Sequence, residues 1–375
     1  MRILHTSDWH VGKVLKGQPR LDEQQAVLAE LVEVARTEQP DLVLVAGDLF
    51  DSGAPTPAAT RLVTRALSAL RGTGAEVVAI AGNHDNGPAL DALRPWAEAA
   101  GITLRGTVRS RADQLIQGDG WRLVALPFLS QRYAVRATEL FELSAAEAQQ
   151  TYADHLARMV AALTEDFDPG QINLITTHVT VVGAKAGGGE REAHTIQQYA
   201  VPATIFPASA HYVALGHLHR PQTLPGPCPV RYCGSPLQLD FGEGENTPSV
   251  TIVEVTAQST AKIREVPITS AAPLRTVRGT LEELASLDPG NAWLRVFVRE
   301  QPRAGLREQV QELLPRALEV RVDPDLLPAT EQRRAATRAG RTPPELFGEY
   351  LAARGHADDR VQALFEELYE EVSSA

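Results

Sequence analysis

The chain has 375 residues, 43% of them hydrophobic, which is too many for one ordinary core and enough for two or three domains. It carries 36 basic and 47 acidic residues, and a net charge of −11 excludes a uniformly basic nucleic-acid coat. The acidity is uneven: residues 343–375 hold eight acids and two arginines, a net of −6. That leaves −5 for the 342 residues before them, so the body can still present a basic groove.

Short apolar runs alternate with helical periodicity. RILHTSD reads as a strand, and residues 21–38 read as a helix with Leu28, Leu31, Val32 and Ala35 on one stripe. DLVLVAGD is a buried strand, and Leu62, Ala66, Leu67 and Leu70 mark the next helix. EVVAIAGNHD and WRLVALPF are strands, followed by a long helix around 145–165. INLITTHV and YVALGHLH continue the series, and PSVTIVEVT with AKIREVPI reads as an antiparallel hairpin that closes the domain. The pattern is α/β, sheets with helices packed outside. From about Pro273, LRTVRGT, LEELASL, AWLRVFVRE, LREQVQELL and ALEVRVDP predict a smaller α+β domain. The expected boundaries are 1–270 for the main domain, 271–330 for the small one, 331–342 for an Arg-rich linker and 343–375 for a helical tail.

No run approaches the roughly 18 apolar residues needed to span a bilayer. The opening apolar stretch is too short for a secretory leader. Cys228 and Cys233, the two cysteines, are too few for a disulfide framework or a structural zinc site. The expectation is a cytoplasmic protein with no membrane segment.

The chemistry gathers where strands end. The first strand runs into Asp8 and His10, and residues two apart on a strand share a side, so both can reach one metal ion. The second ends in VAGDLFD with Asp48, the third in IAGNHD with Asn83 and His84 after a turn-permitting glycine. Later strands end in ITTHV with His178 and LGHLH with His217 and His219. Five of the ten histidines lie at these exits, and the carboxyl ends of strands are where α/β sites form. Capping residues and satisfied core histidines explain any one of them, but not the repetition.

Asp8, His10, Asp48, Asn83, His178, His217 and His219 are too many donors for one tetrahedral zinc, and suit two ions if one carboxylate bridges. Imidazole, carboxylate and amide oxygen together favour manganese, iron or zinc over magnesium or calcium. Two such ions roughly 3.5–4 Å apart fit phosphate-ester hydrolysis, because they lower the pKa of a bound water and clamp phosphoryl oxygens. His84, beside a donor but aimed elsewhere, is the candidate to donate a proton or hydrogen bond to the leaving oxygen. Asp51 either orients that imidazole or caps the following helix, and Asp85 only holds the loop.

The ordered set D-x-H, GD-x-x-D, GNHD, a lone H and GHLH resembles the signature of the calcineurin-like metallophosphoesterases, over about 1–239. RILHTSDWHVGK, HYVALGHLHRPQ, CGSPLQLDFGE and TPPELFGEYL extend a similarity to the SbcD family, the nuclease subunits of bacterial SbcC–SbcD DNA-repair complexes, over nearly the whole chain. The resemblance implies a sandwich of two sheets flanked by helices, with a smaller α+β capping domain and a C-terminal helical tail. It implies that Asp8, His10 and His219 hold one metal, that Asn83, His178 and His217 hold the other, that Asp48 bridges and that His84 is catalytic. It further implies manganese-dependent cleavage of DNA, as exonuclease on duplex ends and endonuclease on single strands and hairpins. Also implied are a homodimer, a capping domain that contacts DNA, and a coiled-coil ATPase partner, SbcC.

Phosphates need cations, and Lys13, Lys16, Arg20, Lys185, Arg191 and Arg220 lie nearest the motifs. GAKAGGGERE lacks the GK[ST] ending of a P-loop. In the tail, Val361, Leu364, Phe365, Leu368, Tyr369 and Val372 form one apolar stripe, and Leu346, Phe347, Tyr350 and Leu351 a shorter one. Such helices suit either docking on the protein's own body or a partner's helix, and the resemblance points to the latter, the base of the SbcC coiled coil. Two other functions fit the same residues: a phosphatase or phosphodiesterase for small substrates, and a metal-stabilised scaffold for a larger assembly.

Overall fold

The computed structural model describes residues 1–130, 151–190, 200–326, 343–356 and 358–373, with side chains up to Tyr369 in the last stretch. It divides into two units, Met1–Val14 with Pro19–Ala271, and Leu15–Gln18 with Ala272–Ala375.

In the first unit the apolar runs become strands covered on both faces. β1 (Arg2–Thr6), β2 (Leu42–Val45), β3 (Glu76–Ile80) and β4 (Ile102–Arg105) lie parallel. A second sheet is built from β5 (Leu115–Gly118), β6 (Trp121–Leu126), β7 (Ile172–His178), β8 (Tyr212–Gly216), β9 (Gln222–Leu224) and β10 (Val230–Tyr232). The hairpin of β11 (Ser249–Thr256) and β12 (Ser259–Pro267) then returns antiparallel beside β1. The orders are β12-β11-β1-β2-β3-β4 and β9-β10-β8-β7-β6-β5.

Alternation along each strand sorts its side chains into layers. Leu42 and Leu44 join Ile3, Ile80, Leu123, Leu174 and Tyr212 between the sheets. Val43 and Val45 face outward onto Leu28 and Leu31 of α1 (Leu21–Glu38) and Leu67 of α2 (Pro57–Arg71). Val124, Leu126, Ile175 and Val213 face the other way, onto Leu156, Met159 and Val160 of α3 (Tyr152–Thr164). Parallel strands read as unbroken apolar runs for this reason. Each fully buried Val or Leu contributes about 1.5–3 kcal/mol. The helix expected around 145–165 starts at Tyr152, where Thr151 and Asp154 form a capping box, and residues 131–150 lie outside the described residues.

The second unit has three parallel strands, β13 (Leu274–Gly279), β14 (Trp293–Val298) and β15 (Ala317–Val322), with β14 central. The helices Leu281–Ala285 and Leu306–Leu313 occupy the two crossovers and bury Leu284, Leu306 and Val310 against Leu294, Val296 and Val298. Basic side chains lie along the strands. Arg278 sits over the Phe297 ring at 4.9 Å, Arg316 over Trp293 at 3.7 Å, and Arg295 pairs with Glu319 at 2.8 Å. The linker expected over 331–342 lies outside the described residues.

The tail forms two helices, Pro343–Ala353 and Asp359–Ser373. The single stripe read from the sequence is shared between two faces. Phe365 stacks on Phe347 of the neighbouring helix at 4.1 Å between ring centroids and on Tyr369 at 6.3 Å. Val361, Leu364 and Leu368 stay exposed. The side chain of Val372 lies outside those described. Among the described residues no helix is long and apolar enough to cross a membrane.

Candidate metal centre

Except at His178, the last residue of β7, the strands stop short of the donors. β1 ends at Thr6, and Asp8 (φ 54°) and His10 (φ 45°) both adopt left-handed backbone beyond it. Asp48 (φ 52°) and His217 (φ 103°) do the same past β2 and β8. The pleat of β1 therefore does not bring Asp8 and His10 together, as the sequence suggested; two left-handed residues in one loop do. Each such conformation costs on the order of 1–3 kcal/mol and clusters at functional sites. The surroundings hold it in place. The Asp8 N–H donates to Gly47 O, His10 N–H to Asp48 O and Val11 N–H to Leu49 O, each at 3.0 Å. The His217 N–H donates to both oxygens of Asp8, at 3.1 and 3.2 Å.

The structure brings all seven predicted donors together, each no more than 4% exposed. Asp8, His10 and His219 have donor atoms within 4.8 Å of one another; so do Asp8, Asp48 and His178, and also His10, Asp48 and His84. Asp48 stands in the middle, with Oδ2 3.4 Å from Nε2 of both His10 and His178. The amide oxygen of Asn83 accepts from His178 Nε2 at 2.9 Å and from His217 Nδ1 at 2.8 Å.

Electrostatics test whether cations fit here. His178 Nδ1 donates to Ala46 O at 2.8 Å and its Nε2 lies 2.9 Å from Asn83 Oδ1, an arrangement that favours a charged ring in the absence of metal. Burial works against that charge, but the Asp48 carboxylate overrides it and pushes His178 up to about 9. Burial likewise opposes a charged His219, and Glu243 pushes it up to about 10. Burial raises the Asp8 carboxyl, while Asp48 is held well below the usual range because His178, His84 and His10 outweigh its burial. Protons on imidazoles thus balance buried carboxylates, and bound cations would displace them. Both ring nitrogens of His10 are buried and make no hydrogen bond among the described residues. The donor set fits divalent metal.

Close approach explains one glycine. A Cβ on Gly82 would lie 2.1 Å from Asp48 Oδ1 and 2.3 Å from its amide nitrogen. Gly82 has no left-handed backbone, so it supplies room and not the turn the sequence suggested. Gly82→Ala is expected to lower stability by about 1–3 kcal/mol, measured by urea unfolding. An unchanged midpoint would refute the contact.

His84 lies beside the cluster. Its backbone N–H donates to Asp48 Oδ1 at 2.8 Å, and its Nδ1–H to the backbone carbonyl of Asp51 at 2.8 Å. The Asp51 carboxylate does not orient His84 and does not cap the next helix, which Thr56 caps. It faces His10 Nδ1 at 3.4 Å and Lys13 Nζ at 3.1 Å, and those two hold it below its usual range against burial. Asp85 accepts from the N–H groups of Leu49, Phe50 and Gly82, and so ties two donor loops together. Burial, then the nearby Asp48, pushes its carboxyl up to about 6.

The cations expected to meet phosphate separate. Arg20 is buried and bonds to the Gln238 carbonyl and to Glu23 Oε2 at 2.6 Å, so it is part of the framework. Lys13 pairs with Asp51, and Lys16 lies 3.8 Å from Glu319. Lys185 and Arg220 are exposed, and Arg191 lies outside the described residues.

Several supporting residues escaped the sequence reading. Ser7 Oγ donates to Asp8 Oδ2 at 2.5 Å, and Ser235 Oγ donates to the Asp8 carbonyl at 2.9 Å. Glu243 and Glu190 both meet His219. Glu243 sits in the quoted stretch CGSPLQLDFGE, and Glu190 directly follows three glycines, the only local signals either carried.

Residues 1–221 match the calcineurin-like phosphoesterase family, and residues 270–355 match the type 5 capsule protein repressor C-terminal domain. The SbcD component of the SbcCD nuclease of Bacillus subtilis is 36% identical over 320 residues, 82% of this chain and 81% of that protein. Its namesake in Escherichia coli K12 is 33% identical, covering 76% of this chain and 73% of that protein. The Rhodobacter capsulatus protein of the same name is 33% identical, covering 81% and 78%. This chain therefore belongs to the calcineurin-like phosphoesterases and, among them, to the SbcD family of SbcCD nuclease components.

Proposed function

We propose that this protein is a metal-dependent DNA nuclease that hydrolyses phosphodiesters at a centre of two divalent cations, manganese by preference. The observation that carries the proposal is the clustering of seven buried donors around Asp48, Asp8 and Asn83, with His84 beside them and its Nδ1 already engaged. The first cation would be held by Asp8, His10 and His219, the second by Asn83, His178 and His217, with Asp48 between. Such a pair supplies a water of lowered pKa and positive charge to meet the phosphate. The chain's own part is to fix the donors, and to hold the His84 ring so that Nε2 can give a proton to the leaving oxygen.

Duplex exonuclease and single-strand or hairpin endonuclease activity are the expected modes, in a homodimer in the cytoplasm. Arg278, Arg299 and Arg321 in the second unit have side chains about half exposed and support DNA contact there. A manganese-supplemented assay on linear duplex, hairpin and single-stranded DNA, with a chromogenic phosphate ester alongside, tests this. DNA cleavage well above ester turnover is expected. Ester turnover without DNA cleavage would make the protein a small-substrate phosphatase.

The partner is expected to be an SbcC-type coiled-coil ATPase that seats on residues 343–375. Val361, Leu364 and Leu368 offer it an exposed row at helical spacing. Removing 343–375 is expected to abolish co-purification with SbcC and to leave manganese-dependent cleavage of short duplexes within about twofold, since the cluster lies wholly in the first unit. Full affinity in the truncated protein would overturn this.

A further inference from the structure

His219 is held from two sides by glutamates outside the seven-donor set. Glu243 Oε1 accepts its Nδ1–H at 2.7 Å, while Glu243 Oε2 is fixed by the Leu239 N–H at 2.8 Å. The carboxylate is 1% exposed. On the backbone side, Glu190 Oε1 accepts the His219 N–H at 2.9 Å and the Gly187 N–H at 2.5 Å. Glu190 Oε2 takes the N–H groups of Gly188 and Gly189, at 2.7 and 3.1 Å. The glycine-rich stretch is thus folded around its own glutamate and pressed onto His219. A Cβ on Gly189 would lie 2.2 Å from Glu243 Oε1 and 3.1 Å from His219 Nδ1, and one on Gly187 would lie 3.0 Å from His219 Cβ. Side chains at Gly187 or Gly189 would therefore crowd the His219–Glu243 contact.

Few other charged groups reach these two glutamates. Glu243 meets the His219 ring, Glu190 its backbone N–H, and Asp8 comes within 4.8 Å of its ligand atom. Among the described residues no Lys or Arg side chain pairs with Glu190 or Glu243, and His219 is Glu243's only ion-pair partner.

We infer that Glu243 is a positioning residue for the first metal: it holds the Nδ1–H of His219, with the Gly187–Glu190 turn closed over the contact, so that His219 offers Nε2 alone. This rests on the two-metal assignment above. A carboxylate behind a metal-binding histidine fixes its tautomer and raises its basicity, and losing it weakens metal affinity about 10–100-fold.

The test is calorimetric titration of metal-free protein with Mn2+, for wild type, Glu243→Gln, Glu243→Asp and Gly189→Ala. Wild type is expected to take up two ions. Glu243→Gln should keep one at wild-type affinity and weaken the other about 10–100-fold. Glu243→Asp should recover part of the loss, and Gly189→Ala, which displaces the carboxylate without changing charge, should reproduce it. Nitrogen-15 histidine spectra of cadmium-loaded wild type add a readout independent of any variant's folding. Cadmium coupling at His219 Nε2 with a proton on Nδ1 is expected. Two undiminished sites in both Glu243→Gln and Gly189→Ala, or cadmium on Nδ1, would overturn the inference alone. Fewer than two ions in wild type would overturn the two-metal assignment instead.

Discussion

Replacing His84 with glutamine is expected to leave both cations bound and to slow DNA cleavage by about 10²–10⁴-fold, the range lost with a general acid or base. The expectation follows from how the ring is tethered. A carbonyl only accepts, so Asp51 O fixes the hydrogen on Nδ1, and the proposed acid–base role falls to Nε2. The main-chain N–H of residue 84 keeps its bond to Asp48 Oδ1 whatever the side chain, so the central carboxylate keeps its place. Glutamine retains a polar end of similar reach but cannot move a proton near neutral pH. Metal content by mass spectrometry and single-turnover cleavage of a short duplex separate the two effects. A His84→Gln rate equal to wild type would remove this residue from the mechanism and favour a scaffold.

Replacing Asp48 with asparagine is expected to do greater harm, because the loss falls on both metal positions at once. Its Oδ2 lies equally far from His10 and His178, one from each proposed ligand set. Asparagine keeps the Oδ1 acceptor for the His84 N–H and removes the charge. Electrostatic stabilisation by bound metal is worth several kcal/mol, so the rate should fall by more than about 10³-fold. Manganese uptake should drop with it, in contrast to His84→Gln. Two ions bound at wild-type affinity by Asp48→Asn would show that Asp48 does not stand between them.

The helix Leu21–Glu38 and the strand ends were legible because burial imposes a period on the residues themselves. The donor cluster was legible for a related reason: parallel strands deliver their exits to one edge, so Asp, Asn and His repeated at exits must converge. What lay beyond the sequence was any contact between segments far apart. Arg20 read as a phosphate contact, but it is satisfied by Gln238, more than two hundred residues away. Asp51 has the spacing to orient His84, yet its carbonyl does that work while its carboxylate turns to His10 and Lys13. Glu243 meets His219 across 24 residues, and no periodicity announces a side chain's partner at that range.

The left-handed loops also decide which amino acids these positions can sample. Aspartate and asparagine enter that region far more readily than β-branched or bulky residues. At Asp8 and Asp48, drift toward asparagine or glycine preserves the main chain, whereas valine or isoleucine would distort the loop before any ligand was lost. An alanine scan of this edge would therefore mix two penalties in one number, and amide replacements are the cleaner probe of charge. Homologues that have abandoned catalysis should betray it first by asparagine at these two places, long before their loops change length.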